Sequence, residues 1–316
     1  MRSLKDYMML VLKGMGMGAA DVVPGVSGGT IAFITGIYEE LLSSIKSISP
    51  RNLGLLFRPG GMRLFAEAIN LRFLLCVVLG VGISFLSLAK LMQHLLAHHP
   101  VLIWAFFFGL ILASAWYVAK GIPRWGWLSA LSCTLGAGLG YIITSTTPAQ
   151  TPNELWFIFI SGAIAIVAMI LPGISGSFIL LLLGKYHHMM TAIAELQLTT
   201  LAVFATGATL GLVAFSHALS WLLSHHRSST VALLTGFMLG SLNKVWPWKI
   251  AQQTLTSTDG TVTPLIEANV LPSTYELHTQ LPAQTGWAIA LMLLGVALIA
   301  ALEQLALSNK QPSQKK

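Results

Sequence analysis

Charge is what this sequence has least of. Only 9% of its 316 residues are Asp, Glu, Lys or Arg, while 55% are hydrophobic, and the mean hydropathy is +0.74. A soluble domain carries roughly 25% charged residues. That deficit excludes a water-soluble globule and indicates an integral membrane protein. Its spans are expected to be helices, because hydrocarbon offers backbone N–H and C=O groups no outside partner. Cysteine is also scarce. Cys76 and Cys133 both sit in apolar segments, which argues against a disulfide framework and against a metal site. The balance of 18 Lys and Arg over 11 Asp and Glu gives a net charge of +7. No basic run with interleaved aromatics accompanies it, so nucleic acid is not an expected partner. The phosphate loop GxxxxGK[ST] is missing, which argues against direct ATP coupling. Arg2 and Lys5 precede an apolar stretch that faintly imitates a signal peptide. No cleavage site interrupts it, and the segment is expected to be retained.

What the chain does have is a repeated phrase. "VVPGVSGG" (Val22–Gly29) returns as "ILPGISGS" (Ile170–Ser177). Aligned at an offset of 148, Ala20–Ile45 and Ala168–Ile193 share nine of 26 residues, including Pro24/Pro172, Gly25/Gly173, Ser27/Ser175, Gly28/Gly176, Gly36/Gly184 and Tyr38/Tyr186. Leu95–Trp116 then matches Leu222–Asn243 at an offset of 127, and Gly126–Ile143 faces Gly286–Glu303. Three matches in one order argue for a duplicated unit, residues 1–148 and 149–316. Each unit holds four apolar segments: about 7–45, 72–96, 101–119 and 125–145 in the first, and 155–193, 198–223, 229–246 and 285–307 in the second.

Three segments of each unit have the roughly 20 residues that a span needs. The first segment is longer and broken by its Pro-Gly phrase, which reads as a re-entrant hairpin. Cation placement then sets sidedness. With both termini cytoplasmic, the inner segments hold 13 Lys and Arg and the outer ones only Lys185, Lys244 and Lys249. Three crossings per unit invert the second unit relative to the first. The expected fold class is an all-α polytopic membrane protein with an inverted-topology repeat. Each unit is a re-entrant, Pro/Gly-broken helical hairpin plus three transmembrane helices. Residues 249–284 are expected to form an external loop with little regular structure.

Inverted repeats with broken helices are the architecture of secondary transporters, whose sites lie at the repeat interface. Pro24 and Pro172 lack an N–H and disturb the preceding turn. The limb after each break starts with free N–H groups and a positive dipole end, suited to an anion such as phosphate. Ser27, Gly28, Gly29 and Thr30 in the first copy, and Ser175, Gly176 and Ser177 in the second, are the candidate anion-binding residues. Pro24, Gly25, Pro172 and Gly173 make the breaks. The competing account is simple close packing by small residues.

The stretch "GAADVVPGVSGGTIAFITGIYEELLSSI" (Gly18–Ile45) resembles the DUF368 membrane family, described as polyprenyl-phosphate transporters. The resemblance covers the whole chain. It implies a flippase that returns undecaprenyl phosphate, the lipid carrier of envelope glycan synthesis, from the outer to the cytoplasmic leaflet of the bacterial inner membrane for recycling. The expected partners are that lipid and the bilayer, with no cofactor and no metal. The headgroup would bind the hairpin tips while the tail stays in lipid. A small-anion channel or exchanger remains an alternative. A lipid phosphatase lacks a recurring His/Asp/Arg constellation, so the chain is not expected to be an enzyme.

Other polar residues have two readings each. Asp21, deep in the first hairpin, either carries a coupling proton or caps the break; the matching residue is Met169. Glu39 lies within the family motif and is a proton or headgroup candidate. Glu40 reads as a limb end at the membrane surface. Tyr38 and Tyr186 either donate to phosphate or anchor at the interface. Lys90 and Lys13 either counter a phosphate or snorkel. His94 and His98 have helical ligand spacing but no carboxylate or cysteine to complete a metal site.

Overall fold

A computed structural model describes residues 2–21, 27–122, 124–149, 151–256 and 262–308. The chain opens with α1 (Leu4–Asp21), a break, then α2 (Gly28–Ile34) and α3 (Tyr38–Lys46). Short helices α4 (Pro50–Leu53) and α5 (Gly61–Ala68) lead to α6 (Leu71–His98), α7 (Pro100–Lys120) and α8 (Trp127–Ser145). The same order then recurs as α9 (Leu155–Ile170), α10 (Gly176–Leu182), α11 (Tyr186–Ala194), α12 (Leu198–His225) and α13 (Arg227–Ser241). Strands β1 (Lys249–Thr256) and β2 (Val262–Asn269), helix α14 (Pro272–Thr279) and α15 (Thr285–Ser308) complete it. Stretches of α6, α7, α8 and α12 are long and apolar enough to cross a membrane, and Leu155–Ile170 and Thr285–Ala301 are shorter apolar helices. The protein is a mostly helical, multi-pass membrane protein.

Segments matched by sequence also pack alike. Helices α6 and α12 each have 28 residues. Each ends at a histidine of nearly identical backbone, His99 (φ −135°, ψ 47°) and His226 (φ −133°, ψ 47°). Helix α1 lies against α6 because Gly14 and Gly80 bring the two backbones together: a Cβ on Gly14 would strike the Val77 carbonyl, and one on Gly80 the Val11 carbonyl. At the equivalent places on α9 and α12, Gly162 faces the Phe204 carbonyl and Gly207 the Phe159 carbonyl. The remaining pairs cross between halves. Gly109 of α7 meets Met292 of α15, and Gly136 of α8 meets Leu233 of α13. Without a hydrophobic difference between lipid and Leu, such close backbone contact is what holds membrane helices together.

Three expectations need correction. The limb after each break is itself broken: α2 ends before Gly36 (φ 73°) and α10 before Gly184 (φ 63°). Both glycines take the left-handed turn that other residues adopt only with strain. The third apolar segment of the second half is shorter than expected, a helix of 15 residues ending at Ser241. Residues 249–284 are not irregular. Antiparallel β1 and β2 pair Lys249 with Asn269 and Ala251 with Glu267. Trp248 donates its indole N–H to the Ala283 carbonyl at 2.9 Å and Trp246 its own to the Val270 carbonyl at 2.8 Å. With Tyr275 and Ala288 they form a separate apolar cluster beside α7.

Gly207→Leu should destabilise the protein by about 1–3 kcal/mol or more, the range for overpacking, seen as a lower unfolding temperature in detergent. Gly138→Leu, with no atom within 4 Å of a Cβ at that position, should leave the temperature unchanged or slightly raised.

Candidate functional site

Two helix breaks meet in the interior. Ser27 is fully buried and is the N-cap of α2: its Oγ accepts from Gly29 N at 3.0 Å and donates to the Met169 carbonyl at 2.7 Å. Thr30, also fully buried, accepts from Gly173 N at 3.0 Å. Tyr38 donates its hydroxyl to the Ile170 carbonyl at 3.2 Å. A Cβ on Gly29 would strike that same carbonyl. The last carbonyls of α9 have no partner within their own helix. Hydroxyls from the other half supply them, and Thr30 supplies the acceptor for the turn after Pro172.

Asp21 closes the first break. Its Oδ1 accepts from Gly28 N at 2.6 Å. A negative group there suits the start of a helix. Any side chain on Gly28 would bring a Cβ within 2.5 Å of Asp21 Oδ2. The carboxylate therefore sits where an external anion would approach α2. The second break is built without a charge. Ser175 caps α10 by accepting from Phe178 N at 3.2 Å, and its Oγ lies 3.2 Å from that of Ser177. Pro172 is buried, Gly173 has φ 96°, and Gly176 packs on the Ala165 carbonyl. Pro24 and Gly25 lie outside the described residues.

The other candidates scatter. Lys13 donates to the Thr35 carbonyl at 2.7 Å, so it caps the end of α2. Glu40 takes both Arg2 nitrogens, at 2.7 and 2.5 Å, and Asn70 at 2.7 Å, tying α3 to the N-terminus of α1 and the start of α6. Glu39 is exposed and pairs with Arg227 across the halves at 2.7 Å. Both line a cavity of about 510 Å³ that also takes in Tyr38, Tyr117 and Lys120. Tyr186 is partly exposed against the His187 ring. Lys90 lies in α6, with its side chain outside the described residues. His94 and His98 stack at 4.1 Å.

Sequence reasoning did not place Lys13 as a cap or Arg227 opposite Glu39. Position 35 is polar and ends a short helix, so the first had a signal. The second joins residues 188 positions apart, and nothing local marks it.

These features define a polytopic helical membrane protein built around two buried helix breaks that complete each other. The chain belongs to the undecaprenyl phosphate translocase-like family, whose VCA0040-like model matches residues 17–263. It is 47% identical over 301 residues to a polyprenyl-phosphate transporter of Vibrio cholerae, covering 95% of this chain and 97% of that protein. A polyprenyl-phosphate transporter of Staphylococcus aureus is 34% identical over 255 residues, covering 75% and 85%. No solved structure matches the chain.

Thr30→Val keeps the side-chain shape but removes the acceptor of the buried Gly173 N–H. It should destabilise the protein by about 1–3 kcal/mol, measured by thermal unfolding in detergent. Ser43→Ala, which removes an exposed bond within one helix, should have no measurable effect.

Proposed function

We propose that the protein transports polyprenyl phosphate, carrying undecaprenyl phosphate from the outer to the cytoplasmic leaflet of a bacterial inner membrane for reuse. The observation that carries the substrate class is the 47% identity to a polyprenyl-phosphate transporter over nearly the full length. Residues 1–148 and 149–316 are two inverted units. Each consists of a re-entrant hairpin and three crossings, both termini are cytoplasmic, and residues 249–284 lie outside. The duplication is supported by the matched helices, which repeat their backbone contacts, and the inversion by the placement of cations. One cavity holds only cations expected inside, Lys120 and Arg227, and another only cations expected outside, Lys244 and Lys249.

Headgroup and tail obey different physics. The prenyl tail gains nothing by leaving lipid and stays there, while the phosphate needs hydrogen-bond donors throughout its passage. Two of the candidate donors, Ser27 and Tyr38, donate to the opposite tip, Thr30 accepts from it, and Asp21 occupies the start of α2. The first tip is therefore the clamp. The second tip, with Ser175, Gly176 and Ser177 and no carboxylate, is the side that receives the phosphate. Coupling to an ion gradient falls to Asp21, the one described carboxylate that holds a helix break. Binding a proton there would release Gly28 N and loosen the first tip.

The test is leaflet exchange of a polyprenyl phosphate in proteoliposomes, read by accessibility to an external phosphatase. Wild type should equilibrate the lipid between leaflets. Ser177→Ala and Asp21→Asn should slow exchange roughly tenfold, the effect of losing one charge-assisted hydrogen bond, while still folding. A protein that passes chloride in prenyl-free liposomes yet leaves the lipid in its original leaflet would overturn the lipid reading in favour of an anion channel.

A further inference from the structure

A pocket of about 320 Å³ lies between the C-terminal end of α8, one side of α10 and the β1–β2 hairpin. The local sequence explains its chemistry. Side chains along a strand alternate between faces. Lys249 opens β1 opposite Asn269, and Glu267 stands two residues before Asn269 on β2, opposite Ala251. One face of the hairpin therefore carries Lys249, Glu267 and Asn269, and all three line the pocket. Lys244, from the turn after α13, joins them and binds Glu267 Oε2 at 3.0 Å.

The group is out of balance. Two cations share one carboxylate oxygen, and Lys249 has the poorer share, at 3.5 Å. Only 6% of its side chain is exposed, and beyond that long contact with Glu267 its Nζ has no hydrogen-bond acceptor among the described residues. It rests instead 3.9 Å from the centroid of the Trp104 ring on α7. A buried ammonium offers three N–H donors, and leaving them without acceptors is costly. A pocket built only for stability would have apolar residues here. The Lys244 ammonium also lies 4.9 Å over the Phe178 ring. Phe178 is the residue after Ser177, so the pocket runs up to the second hairpin tip.

We propose that this pocket is a second anion site, one that takes a phosphoryl group through Lys244 and Lys249 beside the tip of the second hairpin. The ligand supplies the acceptors that Lys249 lacks and turns a net single positive charge into a neutral or slightly negative cluster. A prenyl monophosphate head and free inorganic phosphate share this chemistry. Naming the lipid as a source rests on the transporter reading; the site itself does not.

Burial depresses Lys249 to about 8, only partly offset by Glu267. Burial pushes Glu267 up, but the two lysines outweigh it and hold that carboxyl below its ordinary range. Lys244, Glu267 and the Trp104 ring are the charged and aromatic groups that face Lys249. Lys249 is thus charged below about pH 8 and neutral above it, and affinity should fall as pH rises through that value.

The experiment is isothermal titration of the full-length protein in detergent with farnesyl phosphate and, separately, inorganic phosphate, at pH 6.5 and pH 9. Wild type should bind at pH 6.5 and weaken at pH 9. Lys249→Met should weaken binding at pH 6.5 by roughly tenfold or more and remove the further weakening at pH 9, leaving only the change that the phosphate's own second ionisation brings. Its unfolding temperature should be no lower than that of wild type, because a buried charge has been removed. Glu267→Gln should tighten binding at pH 6.5, a gain that misfolding cannot produce. Loss of farnesyl phosphate binding in Lys249→Met assigns the site to the lipid head; loss of inorganic phosphate binding alone assigns it to the free ion. Binding that is undetectable, or equal in wild type and Lys249→Met, overturns the site. In that case intact leaflet exchange by wild type would leave the transporter reading standing.

Discussion

A helix interrupted inside an apolar protein leaves backbone donors and acceptors that neither lipid nor its own helix can satisfy. The rest of this structure depends on how that constraint is met. Neither break is self-sufficient. The carbonyls of Met169 and Ile170 take their protons from Ser27 and Tyr38, and the Gly173 N–H takes its acceptor from Thr30. Remove either hairpin and the other is left with buried, unmade bonds, each costing about 1–3 kcal/mol. The two tips are thus held together by the bonds each must supply to the other. Gly29 has to be glycine for the same reason, since it lies against the carbonyl that Tyr38 satisfies.

Much of this was legible in the sequence, and the illegible parts have physical reasons. The two Pro-Gly phrases announced the breaks, because proline and glycine act on their own backbone. The second interruption, at Gly36 and Gly184, was visible as a repeated Gly-x-Tyr but was read as part of one limb. Only the positive φ of both glycines shows that the chain turns there. Sequence reveals which hydroxyls can bond, not which are already engaged: Ser27 and Tyr38 donate to the opposite backbone, and Thr30 accepts from it. Of the two readings of Asp21, the 2.6 Å bond to Gly28 N supplies the capping contact without bearing on the coupling role. The β1–β2 hairpin escaped notice because a search for long apolar runs passes over alternating segments such as "KIAQQTLT".

Six of the charged side chains gather in two cavities. Each of the two cavities contains two cations and one carboxylate: Lys120, Arg227 and Glu39 in one, and Lys244, Lys249 and Glu267 in the other. The 127-residue offset relates Lys244 to Tyr117, which lines the first cavity, so the cavities lie at matching places in the two halves. Their charged residues nonetheless come from different elements. Arg227 starts α13, whereas Lys249 and Glu267 come from a β-hairpin with no counterpart among the described residues of the first half. A similar electrostatic character is thus built from non-equivalent residues.

The halves also differ in how their hairpins sit. Helix α3 lies along α12, whereas among the described residues α11 makes no comparable contact with α6. The glycine contacts between α1 and α6 recur between α9 and α12, so this difference lies in the limbs beyond the breaks. Two copies of one unit, in contact across their tips, thus rest in unequal packing. The tip-to-tip bonds constrain both limbs. They tie the end of α9 to the start of α2, so neither limb can shift far without the other following or the buried bonds being lost.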